Sequence, residues 1–154
     1  GVGSGVTGRG ANLIIIDDPV KSREEAESEA YRRRVWNWYR DDMYTRLEPN
    51  GAVILIQTRW HGDDLAGRLL AEAAAGGEAG VVINLPALAD ANDPLGRQPG
   101  EALCPERFSV ADLERVRTVL GTYSFEALYQ QRPRPQAGAL MKREWLGQIA
   151  RFID

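Results

Sequence analysis

The chain has 154 residues, the length of a single domain, and its 44% hydrophobic against 27% charged residues can build a folded core, which excludes disordered and collagen-like polymers. Nineteen basic against 22 acidic residues give a formal charge of -3, so no bulk positive field holds it on nucleic acid and any DNA contact must be local. The longest apolar runs, residues 13–16 and 52–56, are far shorter than the roughly 20 residues that cross a bilayer, and the single Cys104, with no signal peptide, fits a reducing cytoplasm.

The chain begins at Gly1, and its first ten residues hold five of the 16 glycines before running straight into an apolar stretch. The N-terminus therefore reads as a cut through a larger protein. Asn12-Leu13-Ile14-Ile15-Ile16-Asp17-Asp18-Pro19 is a short β-branched run bounded by glycine and proline, which predicts a strand buried on both faces and ending at Asp17. Ser22 and Glu25 have capping-box spacing. Tyr31, Val35, Trp38, Tyr39, Met43 and Leu47 then recur at helical intervals, predicting one amphipathic helix over about 23–47, stopped by Glu48-Pro49-Asn50-Gly51.

Ala52-Val53-Ile54-Leu55-Ile56-Gln57 repeats the buried-strand signature, so strand, helix and strand make a βαβ unit with a right-handed crossover and a parallel sheet. Asp63 is expected to cap a helix reaching about Ala75, ended by Gly76-Gly77, and residues 81–85 to form a third strand. Four prolines between Pro86 and Pro105 mark a loop. Ser109 opens a helix to about Leu120 and Ser124 caps another to about Gln131, which Arg132-Pro133-Arg134-Pro135 ends, because proline lacks a backbone donor. The last 20 residues read as a linker.

Ligands of open parallel sheets bind at the carboxyl ends of the strands, where loops and helix N-termini gather. Both candidate sites lie there. Asp17-Asp18 after four apolar residues has the form of a Walker B strand, in which one carboxylate holds the Mg²⁺ of a nucleotide and the next polarises the attacking water. The alternative is that Asp17-Asp18-Pro19 only turns the chain. At the second strand end, Gln57-Thr58-Arg59-Trp60-His61 places amide and hydroxyl groups where such hydrolases sense the γ-phosphate. His61 has no cysteine or second histidine to complete a zinc site and is read as bracing the loop.

The acidic pairs Asp17/Asp18, Asp41/Asp42 and Asp63/Asp64 together suggest a two-metal nuclease, but the second pair falls within the long helix and the third at a helix cap. Arg32-Arg33-Arg34 follows acids at 24, 25, 27 and 29 and reads as a salt-laced helix face, and Trp38 and Tyr39 fall on the apolar stripe. Arg9, on the glycine-framed Thr7-Gly8-Arg9-Gly10 loop, is either a surface turn or a phosphate-reaching arginine finger, serving a neighbour's site in a ring.

In this order, Thr7-Gly8-Arg9-Gly10, Leu13-Ile14-Ile15-Ile16-Asp17-Asp18-Pro19, Gln57-Thr58-Arg59-Trp60-His61-Gly62-Asp63-Asp64-Leu65 and Tyr129-Gln130-Gln131-Arg132-Pro133 followed by Gly138 resemble the large terminase subunit of tailed bacteriophages and prophages. The resemblance covers nearly the whole chain. It implies an α/β fold: a parallel-sheet, P-loop NTPase-like (ASCE-type) core lacking its N-terminal P-loop portion, with a helical C-terminal segment. Residues 1–131 would be the later part of the ATPase domain, and 132–154 the linker toward an absent RNase H-like nuclease domain.

By the same resemblance Asp17 is the Mg²⁺-holding residue and Asp18 the catalytic carboxylate, an aspartate where most of the family has glutamate. Gln57, Thr58 and Arg59 form the nucleotide-contacting coupling motif that links hydrolysis to DNA movement. No G-x-x-x-x-G-K-[ST] occurs in these 154 residues. The fragment alone is expected to be inactive, while the intact protein is an ATPase and endonuclease that packages viral DNA and cleaves concatemers. Mg²⁺ and ATP are the implied cofactor and substrate. Double-stranded DNA, a portal protein, the small terminase subunit and a homo-oligomeric ring are the implied partners, in the host cytoplasm with no membrane. The competing readings are a degenerate prophage remnant acting as a packing or interaction module, another P-loop DNA motor such as a helicase, and the two-metal nuclease.

Overall fold

The computed structural model describes residues 2, 3 and 8–134. Thr7, Gly138 and the linker expected over 135–154 lie outside the described residues. Strand β1 (Ala11–Asp17) pairs in parallel with β2 (Leu47–Ile56), giving the α/β class that the apolar runs predict. The ladder is in unbroken register from Leu13↔Ala52 to Asp17↔Ile56. Before it, the register slips, because Pro49 has no N–H to donate and Asn50 takes a left-handed φ of 67°.

The crossover between the strands is not the single helix expected over 23–47. It consists of α1 (Arg23–Glu27), α2 (Glu29–Asn37), a π-helical turn (Trp38–Met43) and a 3₁₀ turn (Tyr44–Arg46). The break falls at Ser28, whose extended backbone ends α1 while its side chain accepts the N–H of Tyr31 and caps α2. Serine's local bonding competes with the helical ladder here, and the apolar periodicity carries straight across it. Ser22 does cap α1, accepting from Glu25 N.

One face of the sheet is covered, contrary to the expectation of burial on both. Ile16, Val35, Tyr39 and Leu65 form the first apolar cluster, with Ile14, Val53, Leu55 and Trp38 packed against it. Side chains alternate across a strand, so Leu13, Ile15, Ile54 and Ile56 point to the other face, where they are 52%, 59%, 44% and 54% exposed. The third strand expected over 81–85 is not seen: among the described residues these join no sheet, and Val81 and Ile83 are exposed. An apolar run states that a segment can be buried, but a strand also needs a partner edge.

Helix α3 (Leu65–Ala74) starts one residue later than expected. Its cap is Asp64 and not Asp63, whose carboxylate is taken by Arg32 and Arg68. Segment α4 (Val110–Leu128) contains the two helices expected there, broken from one another at Gly121, whose φ of +74° and ψ of 162° are not helical. That conformation costs a glycine little. The hydroxyl of Ser124 caps nothing and instead lies 3.5 Å from the Arg23 guanidinium. Ser109 with Asp112 forms the capping box that opens α4. A second apolar cluster, Leu88, Ala102, Leu113 and Phe125, packs α4 onto the proline-marked loop, where Leu88 and Ala102 form an isolated antiparallel bridge. No helix among the described residues is long and apolar enough to cross a membrane.

Candidate functional site

Parallel pairing brings the carboxyl ends of β1 and β2 to one edge, so the residues after them meet although they lie 40 apart in sequence. Asp17 and Asp18 are exposed there. Asp18 takes φ +40°, a left-handed conformation that aspartate tolerates better than most residues. It turns the chain out of β1 while its N–H donates to Ile56 O at 2.9 Å and its carboxylate accepts the N–H of Thr58 at 3.0 Å. The turn-forming reading of this aspartate is what this geometry shows, and its carboxylate stays exposed.

The loop after β2 is held on every side. Arg59 N donates to Gln131 Oε1 at 3.1 Å, and Arg59 Nε reaches the two carboxylate oxygens of Asp64 at 3.0 and 2.9 Å. Asp64 is 2% exposed and also accepts the N–H of Gly67 at 2.8 Å, so one buried carboxylate both caps α3 and anchors the arginine. Gly67 is required: a Cβ there would stand 1.9 Å from Gly62 O. His61 braces the loop as expected, its Nδ1 accepting the N–H of Asp63 at 2.9 Å. The carboxyl of Asp63 is held below its usual range, chiefly by Arg68 and also by Arg32. Gln57 Oε1 is buried and has no hydrogen-bond partner among the described residues.

Arg23 joins α1 to this loop and to α4. It donates to Trp60 O at 2.9 Å and lies over the rings of Trp60 and Tyr123, at 5.1 and 4.8 Å. The Tyr123 hydroxyl donates to Glu27 at 2.7 Å and lowers the pKa of that carboxyl below its usual value.

Each residue of the Tyr129-Gln130-Gln131-Arg132 segment docks on a different part of the fold. Tyr129 stacks on Phe125 with ring centroids 5.1 Å apart, and its carbonyl accepts Ala87 N. Gln130, 3% exposed, exchanges two hydrogen bonds with the backbone of Leu88, at 2.9 and 3.0 Å. Gln131 bonds Arg59, and Arg132 pairs with Asp90 at 2.9 Å.

Asp17, Asp18, Gln57, Thr58 and Arg59 are thus brought to one edge. Arg9 is not: it is exposed beside Thr45, Arg46 and Glu48 at the amino ends of the strands. Eight residues at about 3.3 Å each put it roughly 25 Å from Asp17. The other acidic pairs do not converge on the first, and no group of three or more His, Cys, Asp or Glu able to hold a metal occurs among the described residues. A Mg²⁺ site of the kind that takes one or two carboxylates and completes its shell with phosphate and water still fits Asp17 and Asp18, which supply hard oxygens at an exposed edge. Sequence reasoning named Asp64 and Gln131 within its motifs without their contacts to Arg59, and gave Arg23 no role. Asp64 was legible as a cap at the next position, whereas the partners of Gln131 and Arg23, 72 and 37 residues away, leave no local signal.

A protein-family model described as terminase large subunit, T4likevirus-type, N-terminal, matches residues 2–148. No curated protein matches the chain.

Proposed function

The chain belongs to the terminase large-subunit family, and from that membership, which carries a DNA-packaging role, we propose that it supplies the carboxylate and coupling portion of the motor's ATP site. The observation that carries this reading is the meeting of Asp17-Asp18 with Gln57-Thr58-Arg59 at the carboxyl ends of two parallel strands, joined by the Asp18–Thr58 bond. Asp17 would hold Mg²⁺, which when bound neutralises phosphate charge. Asp18 orients and polarises the attacking water; one of its oxygens is committed to Thr58 N, and a carboxylate has a second with which to accept a proton. Gln57, whose buried oxygen has no partner among the described residues, and Thr58 contact the nucleotide, and the loop they begin moves with its state.

The P-loop NTPase-like core is part of the proposal, with the phosphate-binding lysine contributed from outside these residues. Its support is the open sheet face. Parallel sheets are covered on both sides, and Leu13, Ile15, Ile54 and Ile56 stand uncovered among the described residues. Arg9, at the far end of β1 from the carboxylates, suits action on a neighbouring subunit's site in a ring. Residues 1–131 then belong to the ATPase domain and 132–154 lead to a nuclease domain. Double-stranded DNA, the portal protein and the small subunit are the partners, in the host cytoplasm.

The test is ATP turnover, with and without DNA, by this chain joined to a P-loop-bearing segment. Turnover is expected, with Asp17→Asn raising the Mg²⁺ concentration needed for half-maximal rate. Absence of turnover in the joined protein contradicts the proposal and favours a packing or interaction module.

A further inference from the structure

Two consecutive backbone N–H groups of the loop after β2 are gripped by side chains from opposite ends of the chain. Asp18 takes Thr58 N at 3.0 Å and Gln131 takes Arg59 N at 3.1 Å. Both gripping residues are non-glycines at positive φ, +40° and +55°, a conformation that persists only where surroundings enforce it. We propose that Gln131 is a positioning residue of the motor, whose side-chain carbonyl ties residues 131–134 to the coupling loop, so that displacement of the loop at Asp18 is delivered to the segment that follows α4. This inference rests on the reading of Asp18 and residues 57–59 given above.

The connection is stiff on both sides. Gln131 cannot swivel, because its Nε2 donates to Leu128 O at 2.8 Å while its Oε1 accepts Arg59 N. Arg59 cannot drift, because its guanidinium is locked on the buried Asp64, which caps α3. Beyond Gln131, the N–H of Arg132 donates to Glu126 O and its guanidinium grips Asp90. The path Asp18, Thr58, Arg59, Gln131 is therefore an unbroken chain of bonded groups between the carboxylate edge and the end of α4, a contiguous route along which a displacement can pass. The other polar links between the two apolar clusters, Arg23 with Trp60 and Ser124 and Glu27 with Tyr123, leave the N–H groups of Thr58 and Arg59 untouched.

Three variants separate positioning from stability. Gln131→Met keeps the side-chain length and removes both the acceptor for Arg59 N and the Nε2 donor to Leu128 O; Gln131→Glu restores the acceptor oxygen alone. Gln130→Met removes a buried amide bonded to Leu88 and weakens the same segment without touching the loop. In the 154-residue chain, amide hydrogen exchange at Arg59 is expected to speed up by about tenfold or more in Gln131→Met, as one hydrogen bond's protection is lost, and to return toward wild type in Gln131→Glu. In a terminase containing this chain, Gln131→Met is expected to keep ATP turnover and lower the length of DNA moved per ATP, while Gln130→Met keeps that ratio. Unchanged exchange at Arg59, an unchanged ratio in Gln131→Met, or an equal fall in Gln130→Met would overturn the positioning role alone. A wild-type protein without ATP turnover would overturn the functional reading and this inference with it.

Discussion

The carboxylate of Asp18 accepts the backbone N–H of Thr58 at 3.0 Å, while the N–H of Asp18 donates to Ile56 O at 2.9 Å. One residue in a left-handed conformation thereby fastens the end of β1 to the end of β2 on both its main-chain and side-chain groups. The residue proposed to polarise water is also the one that sets the distance between the two halves of its site.

That double duty can be separated by substitution. Asp18→Asn keeps an acceptor oxygen for Thr58 and a side chain that tolerates positive φ, so its stability is expected to stay within about 1 kcal/mol of wild type. Asp18→Ala loses the bond and pays the left-handed penalty, an expected loss of about 2–3 kcal/mol. Urea unfolding of the two variants checks this; equal losses would remove the clasp role.

The Arg59–Asp64 pair carries a larger stake, since Asp64 is almost fully buried. Arg59→Met would leave a buried carboxylate with Gly67 N as its remaining partner among the described residues. The expected cost is about 3 kcal/mol, the low end for a broken buried pair. Asp64→Asn keeps the helix cap and leaves a partly exposed arginine that water can reach, so it is expected to cost less. A drop in urea midpoint at constant slope is the readout.

Acid should loosen the packing of α2 against α3. Asp63 bridges Arg32 and Arg68, and its folded pKa lies below the ordinary value of 3.8. A lowered carboxyl contributes stability that is present above the ordinary value and is lost as the pH falls from there through the folded one. Thermal melting of Asp63→Asn against wild type is therefore expected to show a deficit at neutral pH that shrinks below about pH 4. A deficit independent of pH would assign the effect to packing. The group is partly exposed, and salt is expected to reduce the deficit.

Local rules were legible where the decisive partners lie close in sequence. The β-branched runs gave the parallel pair, Ser22 and Ser109 their caps, and His61 its loop contact. The helix across 23–47 was misread because apolar periodicity continues through Ser28, where a side-chain cap interrupts the backbone ladder. Residues 81–85 and the outer faces of β1 and β2 are apolar enough to bury, and hydropathy does not reveal whether a neighbour is there to bury them. Asp17, Asp18 and residues 57–59 could be named from strand ends. Their connections to Gln131 and Arg23 depend on how distant segments pack, which no spacing encodes.

The most direct measurement is ATP binding and ATP turnover, side by side, for wild type and Asp18→Asn in this chain joined to a P-loop-bearing segment. The expected result is binding within a few-fold of wild type with turnover lowered about 10²–10⁴-fold, the range for loss of a general base. Turnover left intact, or binding lost in proportion to turnover, would contradict the assignment of Asp18 as the water-polarising group.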